Sequence, residues 1–241
     1  MRQFDVTLIF TSIPPLIPYL WITLGMTLLS GLFGTALGAL IAAGKLGHHR
    51  VLRALANGYT TLLRCTPSVV LLFVVYYGLP KLSLELFQKD IDDIAKGVFV
   101  AVTLSLLFAA TMSEIIRSAW QAIPKGQWEA AECAGMSRLS TFRRIIFPQL
   151  FLVALPNVGN AVIGLLKEGA LAFTIGFIDL IGKANLMVSM NLGAHSREIY
   201  LSAALLYWII IFLLERLLHF AEHALDKNRR AGRAVALRPQ K

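Results

Sequence analysis

The chain has 241 residues, 56% of them hydrophobic and 15% charged, with a net charge of +9 and a mean hydropathy of +0.66. So little polar residue content cannot cover a soluble globule, and the composition reads as an integral membrane protein. The Lys and Arg residues cluster just outside apolar runs, which is a topology signal and argues against a nucleic-acid partner.

Crossing about 30 Å of hydrocarbon takes roughly 20 helical residues. Five runs qualify, near residues 20–43, 55–79, 97–120, 150–171 and 199–220. Ahead of the first, Pro14, Pro15 and Pro18 interrupt the chain. The run itself is too long for a cleaved leader's apolar core and is read as a retained helix. Within it Ser30, Gly34, Gly38 and Ala42 recur every four residues, a small-residue stripe that lets another helix backbone approach closely. Packing within the chain is the preferred reading of that stripe, with association of two copies as the alternative.

The second run contains Arg64, Thr66 and Pro67, and a proline there frees an upstream carbonyl and predicts a kink that opens polar backbone to a cavity. Arg64 is either a substrate contact, a snorkelling cation or a partner for Glu114. In the third run Glu114 and Arg117 lie one turn apart, where they can pair with each other. The fourth run spaces Asn157, Asn160 and Gly164 along successive turns before Lys167 and Glu168, the best candidate for a polar pathway surface. Beyond it, Gly169, Gly176, Gly182 and Gly193 break a still apolar stretch that also holds Asp179 and Lys183, as expected of re-entrant or interfacial pieces lining a cavity.

Loop charges set the orientation. Lys45, Arg50 and Arg53 follow the first run without acids, and Lys125, Arg138, Arg143 and Arg144 follow the third. The loop after the second run mixes Glu85, Asp90, Asp92 and Asp93 with Lys81, Lys89 and Lys96, whereas the tail is basic from Lys227 to Lys241. Five crossings with the N-terminus outside and the C-terminus cytoplasmic satisfy every loop. The tail from Asp226 is expected to fray against lipid headgroups. The fold class is therefore all-α integral membrane, one domain over residues 1–241.

Cys65 sits in an apolar run and Cys133 in a basic loop, so no disulfide and no metal site are expected. Glu215, His219 and His223 share a helix face, but that helix is entering the headgroup region, so metal binding is discounted. Gly164 and Gly169 have the opening spacing of a phosphate loop, yet Ala170 and Leu171 stand where Lys and Ser or Thr are needed. Nothing supports enzymatic chemistry in this chain.

Residues 121–148 form the most informative loop. Pro124 suits a first helical turn, residues 126–134 favour helix, and Gly135 can end it in a left-handed conformation. Small Ala130 and Ala131 leave the helix slim enough for a groove, and Glu129 can accept hydrogen bonds from the receiving surface. Residues 139–146, with Arg143 and Arg144, should then lie along the interface before Pro148 starts the next span.

The order Glu129-Ala130-Ala131, three residues, Gly135, nine residues, Ile145, one residue, Phe147-Pro148 resembles the signature of membrane permease subunits of ATP-binding-cassette importers for polar amino acids, with Phe147 in place of Leu. The similarity extends through Arg64-Cys65-Thr66-Pro67, Tyr76-Tyr77-Gly78-Leu79-Pro80, Glu114-Ile115-Ile116-Arg117 and Pro124-Lys125-Gly126-Gln127-Trp128, covering residues 20–220. It implies a type I importer permease fold in the bacterial cytoplasmic (inner) membrane. Glu129, Ala130, Ala131 and Gly135 would contact the ATPase subunit, which binds the ATP and Mg, so that no cofactor is implied for this chain. A second permease copy or paralogue and an extracytoplasmic amino-acid-binding protein complete the implied partners.

The pathway set is Arg64, Thr66, Asn157, Asn160, Gly164, Lys167 and Glu168. Where the family usually carries Lys-Asp-Thr-Ser-Leu, this chain has Lys167-Glu168-Gly169-Ala170-Leu171, two hydroxyls fewer. The run from Leu171 to Asp179 and then Gly182-Lys183 looks most like permeases for cystine and related sulfur amino acids. Two rivals stand beside this reading. A stand-alone secondary amino acid transporter or channel would need coupling-ion ligands and inverted repeats, and a membrane scaffold would have no pathway of its own.

Overall fold

The computed structural model describes residues 4–236, and side chains from Phe4 to Ala224. Five helical stretches are long and apolar enough to cross a membrane: Val6–Leu46, Ser68–Phe87, Lys96–Gln121, Arg138–Ile175 and Ser196–Ala224. The fourth and fifth expected runs lie within the fourth and fifth of these stretches, while the first two carry corrections.

Helix α1 (Val6–Leu46) begins well before residue 20 and passes straight through Pro14, Pro15 and Pro18. A proline's fixed φ is already helical, and its missing donor is tolerated where neighbouring helices brace the backbone. Here Asp5 caps the helix through Thr7, and Ser202 Oγ donates to the Ile9 carbonyl at 2.7 Å. Leu16 is wholly buried in a cluster with Leu180, Ile199, Ala203 and Leu206. Packing therefore overrides the local interruption.

The second expected span is not one helix. Amphipathic α2 (Arg50–Cys65) stops at Thr66-Pro67, and a new helical run starts at Ser68 as α3 (Ser68–Phe73), passes a π-turn at Val74–Gly78 and ends as α4 (Leu79–Phe87). Pro67 imposes extended geometry on Thr66 (ψ 127°), so the kink becomes a break. The two halves still run antiparallel to α5 (Lys96–Gln121). Tyr59 Oη donates to the Leu106 carbonyl, and further along Tyr76 sets its ring edge against Phe99. Cys65, at the end of α2, and Cys133 are both free and exposed.

Helix α5 is the centre of the bundle, with 61% of its most apolar window buried against 17% for the last span. Ser30, Gly34, Gly38 and Ala42 face it from α1. A methyl group on Gly34 would lie 2.9 Å from Phe108 Cβ, and one on Gly38 would lie 2.7 Å from Met112 Cβ. The small-residue stripe is thus a seam within the chain. Val100, Leu104, Phe108, Met112 and Ile115 extend the core from α5 toward Leu72, Ala154 and Leu165.

After the loop helix α6 (Gly126–Cys133), the chain does not lay down a separate interfacial helix. Instead α7 (Arg138–Thr141) and a π-turn at Phe142–Ile146 lead without interruption into α8 (Phe147–Gly169). The π-turn lets Phe147 N–H reach the Phe142 carbonyl one position before Pro148, which has no donor to offer. A 3₁₀ stretch at Ala170–Ile175 and the short apolar α9 (Leu180–Met190) follow, then α10 (Ser196–Ala236). The backbone of α10 stays helical to Ala236 instead of fraying from Asp226. The basic side chains from Lys227 onward lie outside the described residues.

Candidate functional site

Helix α6 is built as the loop sequence predicts, and its two faces differ. Its first turn is fixed by Gln127 and Trp128 N–H groups donating to the Pro124 and Lys125 carbonyls. It ends at Gly135 with φ +72°, where Gly135 N–H reaches Glu132 and Met136 N–H returns to the Ala131 carbonyl. That paired closure needs a left-handed residue, which glycine supplies at no steric cost. At 100° per residue, Glu129, Ala130 and Cys133 share a face, and all are exposed. Ala131 turns the other way and is 3% exposed. Of the four expected coupling residues, Glu129 and Ala130 are presented outward and Gly135 stops the helix. Ala131 is covered by its own chain and faces inward.

A second polar feature forms where two broken helices meet. Ser68, the first residue after the Thr66-Pro67 break, donates from Oγ to Glu168 Oε1 at 3.2 Å, just before α8 gives way to the 3₁₀ stretch. The carboxylate therefore sits beside the start of a helix, whose free amides favour negative charge. Thr66 is adjacent and spends its hydroxyl on the Leu62 carbonyl at 2.8 Å. Val100, Thr103, Leu104 and Leu107 wall this junction.

Asn157, Asn160, Gly164, Lys167 and Glu168 follow one another along a single face of α8. Asn157, Asn160 and Lys167 are exposed, so the chain leaves this face uncovered. Lower on it, Asn160 lines a cavity of about 400 Å³ with Glu215, Arg216, His219 and Glu222 from α10. The residue that meets Glu168 is thus Ser68, two positions after Thr66, and the two asparagines align with Glu168 on α8. Arg64 is exposed at the end of α2, one turn short of the junction. Ser68 was missed by the sequence reading, although its place directly after a helix-breaking Pro67 was a usable signal.

Glu114 and Arg117 pair as their spacing predicts. Arg117 Nε and Nη2 both donate to Glu114 Oε2, at 2.9 and 2.7 Å, and Nη1 reaches Gln121. The third partner is Lys45, not Arg64. Its Nζ donates to Glu114 Oε1 and to Ser113 Oγ, and its side chain is only 1% exposed. Lys45 belongs to α1 and not to a loop. It continues the Ser30-Gly34-Gly38-Ala42 face by one further turn, a register that marked it as buried.

At the other end of the bundle Asp179 caps α9, accepting from Gly182 N–H at 2.8 Å. Burial is the main influence on its carboxyl and pushes the pKa up to about 6, against the hydrogen bonds it receives. The next residue's amide donates to Thr23 of α1, and Lys183 lies over the Tyr19 ring at 5.1 Å. The glycine-broken segment is thereby anchored to α1 as well as containing a short apolar helix.

A model of the binding-protein-dependent transport system inner membrane component family matches residues 34–227. The L-cystine transport system permease protein TcyL of Bacillus subtilis is 36% identical over 227 residues, covering 94% of each chain. The nopaline transport system permease protein NocM of Agrobacterium fabrum is 34% identical, again with 94% of each covered. Among solved structures, an amino acid ABC transporter crystallised with histidines superposes with a TM-score of 0.80 at 30% identity, covering 92% of this chain and 100% of that one.

Proposed function

The chain belongs to the binding-protein-dependent transport system inner membrane component family, and from that premise we propose that it carries L-cystine or a related sulfur amino acid across a bacterial inner membrane. It is the permease subunit of an ATP-driven amino-acid importer, all-helical and multi-pass, and ATP hydrolysis belongs to a separate subunit. The stand-alone secondary transporter or channel is not favoured, since these relatives are subunits of binding-protein-dependent systems.

In our reading the N-terminus is outside and α6 is cytoplasmic, as the loop charges require. The ATPase, holding ATP and Mg, receives the exposed Glu129-Ala130 face of α6. A second permease, identical or paralogous, covers the open face of α8, and an extracytoplasmic binding protein delivers the amino acid. Glu168 offers an acceptor for the substrate ammonium, and the α3 amides beside it offer donors for a carboxylate. Asn157, Asn160 and Lys167 extend that polar track, with Gly164 leaving room beside it. Thr66 shapes the break, and Arg64 stands at the approach to it.

The observation that carries the reading is the one-sided exposure of α6, with Glu129 and Ala130 outward and Ala131 inward. The test reconstitutes the permease with its ATPase and binding protein in proteoliposomes and follows ATP-driven cystine uptake. Glu129→Arg and Gly135→Pro should leave the permease inserted while separating hydrolysis from uptake, because proline cannot reach the positive φ that Gly135 adopts. Unchanged ATP-driven uptake in both variants removes the coupling role of α6.

A further inference from the structure

The buried side of α6 does more than pack. Trp128 of α6 lies against Trp120 at the end of α5, with ring centroids 5.8 Å apart. Trp120 also meets Phe142 of the π-turn at 6.1 Å, and Phe142 meets Phe147, the first residue of α8, at 5.9 Å. Four aromatic rings therefore run from the loop helix to the feet of two membrane helices. Trp128, Trp120 and Phe142 are half-buried, so the row is shielded and not loose on the surface. One polar strut runs alongside: Gln149 of α8 shares its amide between the Ile145 carbonyl and Gln127 of α6.

Alternative routes for force are sparse. The ion pairs Lys45–Glu114 and Arg117–Glu114 lie on α1 and α5 and not on α6. Aromatic rings have few rotamers and prefer tilted or edge contacts, so a row of them resists compression better than flexible aliphatic chains do. A push delivered to the outward face of α6 meets this row directly behind it.

We propose that Trp120 and Trp128 are positioning residues that transmit displacement of α6 into both α5 and α8, with Trp120 as the branching point. The inference rests on the coupling role given to α6 above. Without the row, α6 can be seated by the ATPase yet shift against its own bundle, so that hydrolysis proceeds without moving the pathway.

The test measures uptake per ATP hydrolysed in the reconstituted importer, together with recovery of the ATPase on the purified permease. Trp128→Ala should retain the ATPase and its hydrolysis while uptake per ATP falls about tenfold, the size of one lost aromatic contact. Trp128→Phe should stay within about twofold of the parent, since a ring is kept in place. Trp120→Leu, which stays apolar but removes the ring and severs both contacts, should reproduce the loss and serves if Trp128→Ala does not assemble. The double variant should be no worse than Trp120→Leu alone if the rings act as one unit. If Trp128→Ala and Trp120→Leu keep the parent ratio while Glu129→Arg loses it, the row is overturned and the role of α6 stands. If Glu129→Arg also keeps the ratio, the coupling role itself fails.

Discussion

The loop helix α6 and the junction between Ser68 and Glu168 both interrupt long apolar runs with small or polar residues, but they are anchored differently. Helix α6 is fastened along one whole side by Trp128, Ala131 and Gln127, and closed at its end by Gly135. The junction is walled by apolar side chains of α5, and its polar contact is one hydrogen bond between two helix breaks, beside a face of α8 that the chain leaves open. Ring contacts and a closed terminus suit a part that must move as a rigid piece with its neighbours. A single polar contact suits a part whose partner must be able to take over its hydrogen bonds, since a hydroxyl already committed to several groups has little to offer a ligand.

Substitution at the junction should give the largest separation between the two regions. Glu168→Gln keeps the shape and the Ser68 contact but removes the charge, and uptake should fall about tenfold to a hundredfold while ATP hydrolysis is retained, as for a lost charge-assisted hydrogen bond. Uptake within twofold of the parent would leave the junction as packing only. A smaller effect, on stability instead of transport, is expected at the anchored end. Lys45→Met leaves Glu114 with Arg117 alone and removes the donor to Ser113 Oγ, which keeps its own bond to the Ala110 carbonyl, costing roughly 1–3 kcal/mol. A lowered thermal midpoint in detergent would report it.

The effect expected from Asp179 is confined to the pH dependence of stability. Its carboxyl ionises near 3.8 when unfolded and near 6 when folded, so the folded chain holds the extra proton between those values. Its stabilising contribution is therefore full below the lower value and is lost as pH rises through about 6. Asp179→Asn preserves a capping side chain without a titrating group. Its unfolding midpoint should change less than the parent's between acid and neutral pH, and equal pH slopes would remove Asp179 as the source.

The features legible in the sequence were those carried by periodicity or by a short motif. Hydropathy located five membrane-length runs, and the spacing from Glu129 to Pro148 located α6 and its stop at Gly135. Partnership across elements was not legible. Lys45 reads as a loop cation beside Arg50 and Arg53, and although its register on α1 marks it as buried, its partner Glu114 shows only in the α1–α5 packing. The prolines near residue 15 misled in the opposite direction, since bracing by α10 outweighs their local cost. At Thr66-Pro67 the local signal was right but its extent was underestimated, a bend being expected where the helix in fact ends. The inward turn of Ala131 is a matter of tertiary packing, which the motif does not encode.

The glycines of α1 carry a consequence for motion. With Gly34 and Gly38 pressed so closely on α5 that neither could take a single carbon more, these two helices have no clearance for sliding past each other. They must travel as one plank. Any rearrangement that admits or releases cargo is left to the more thinly held helices on either side of that plank.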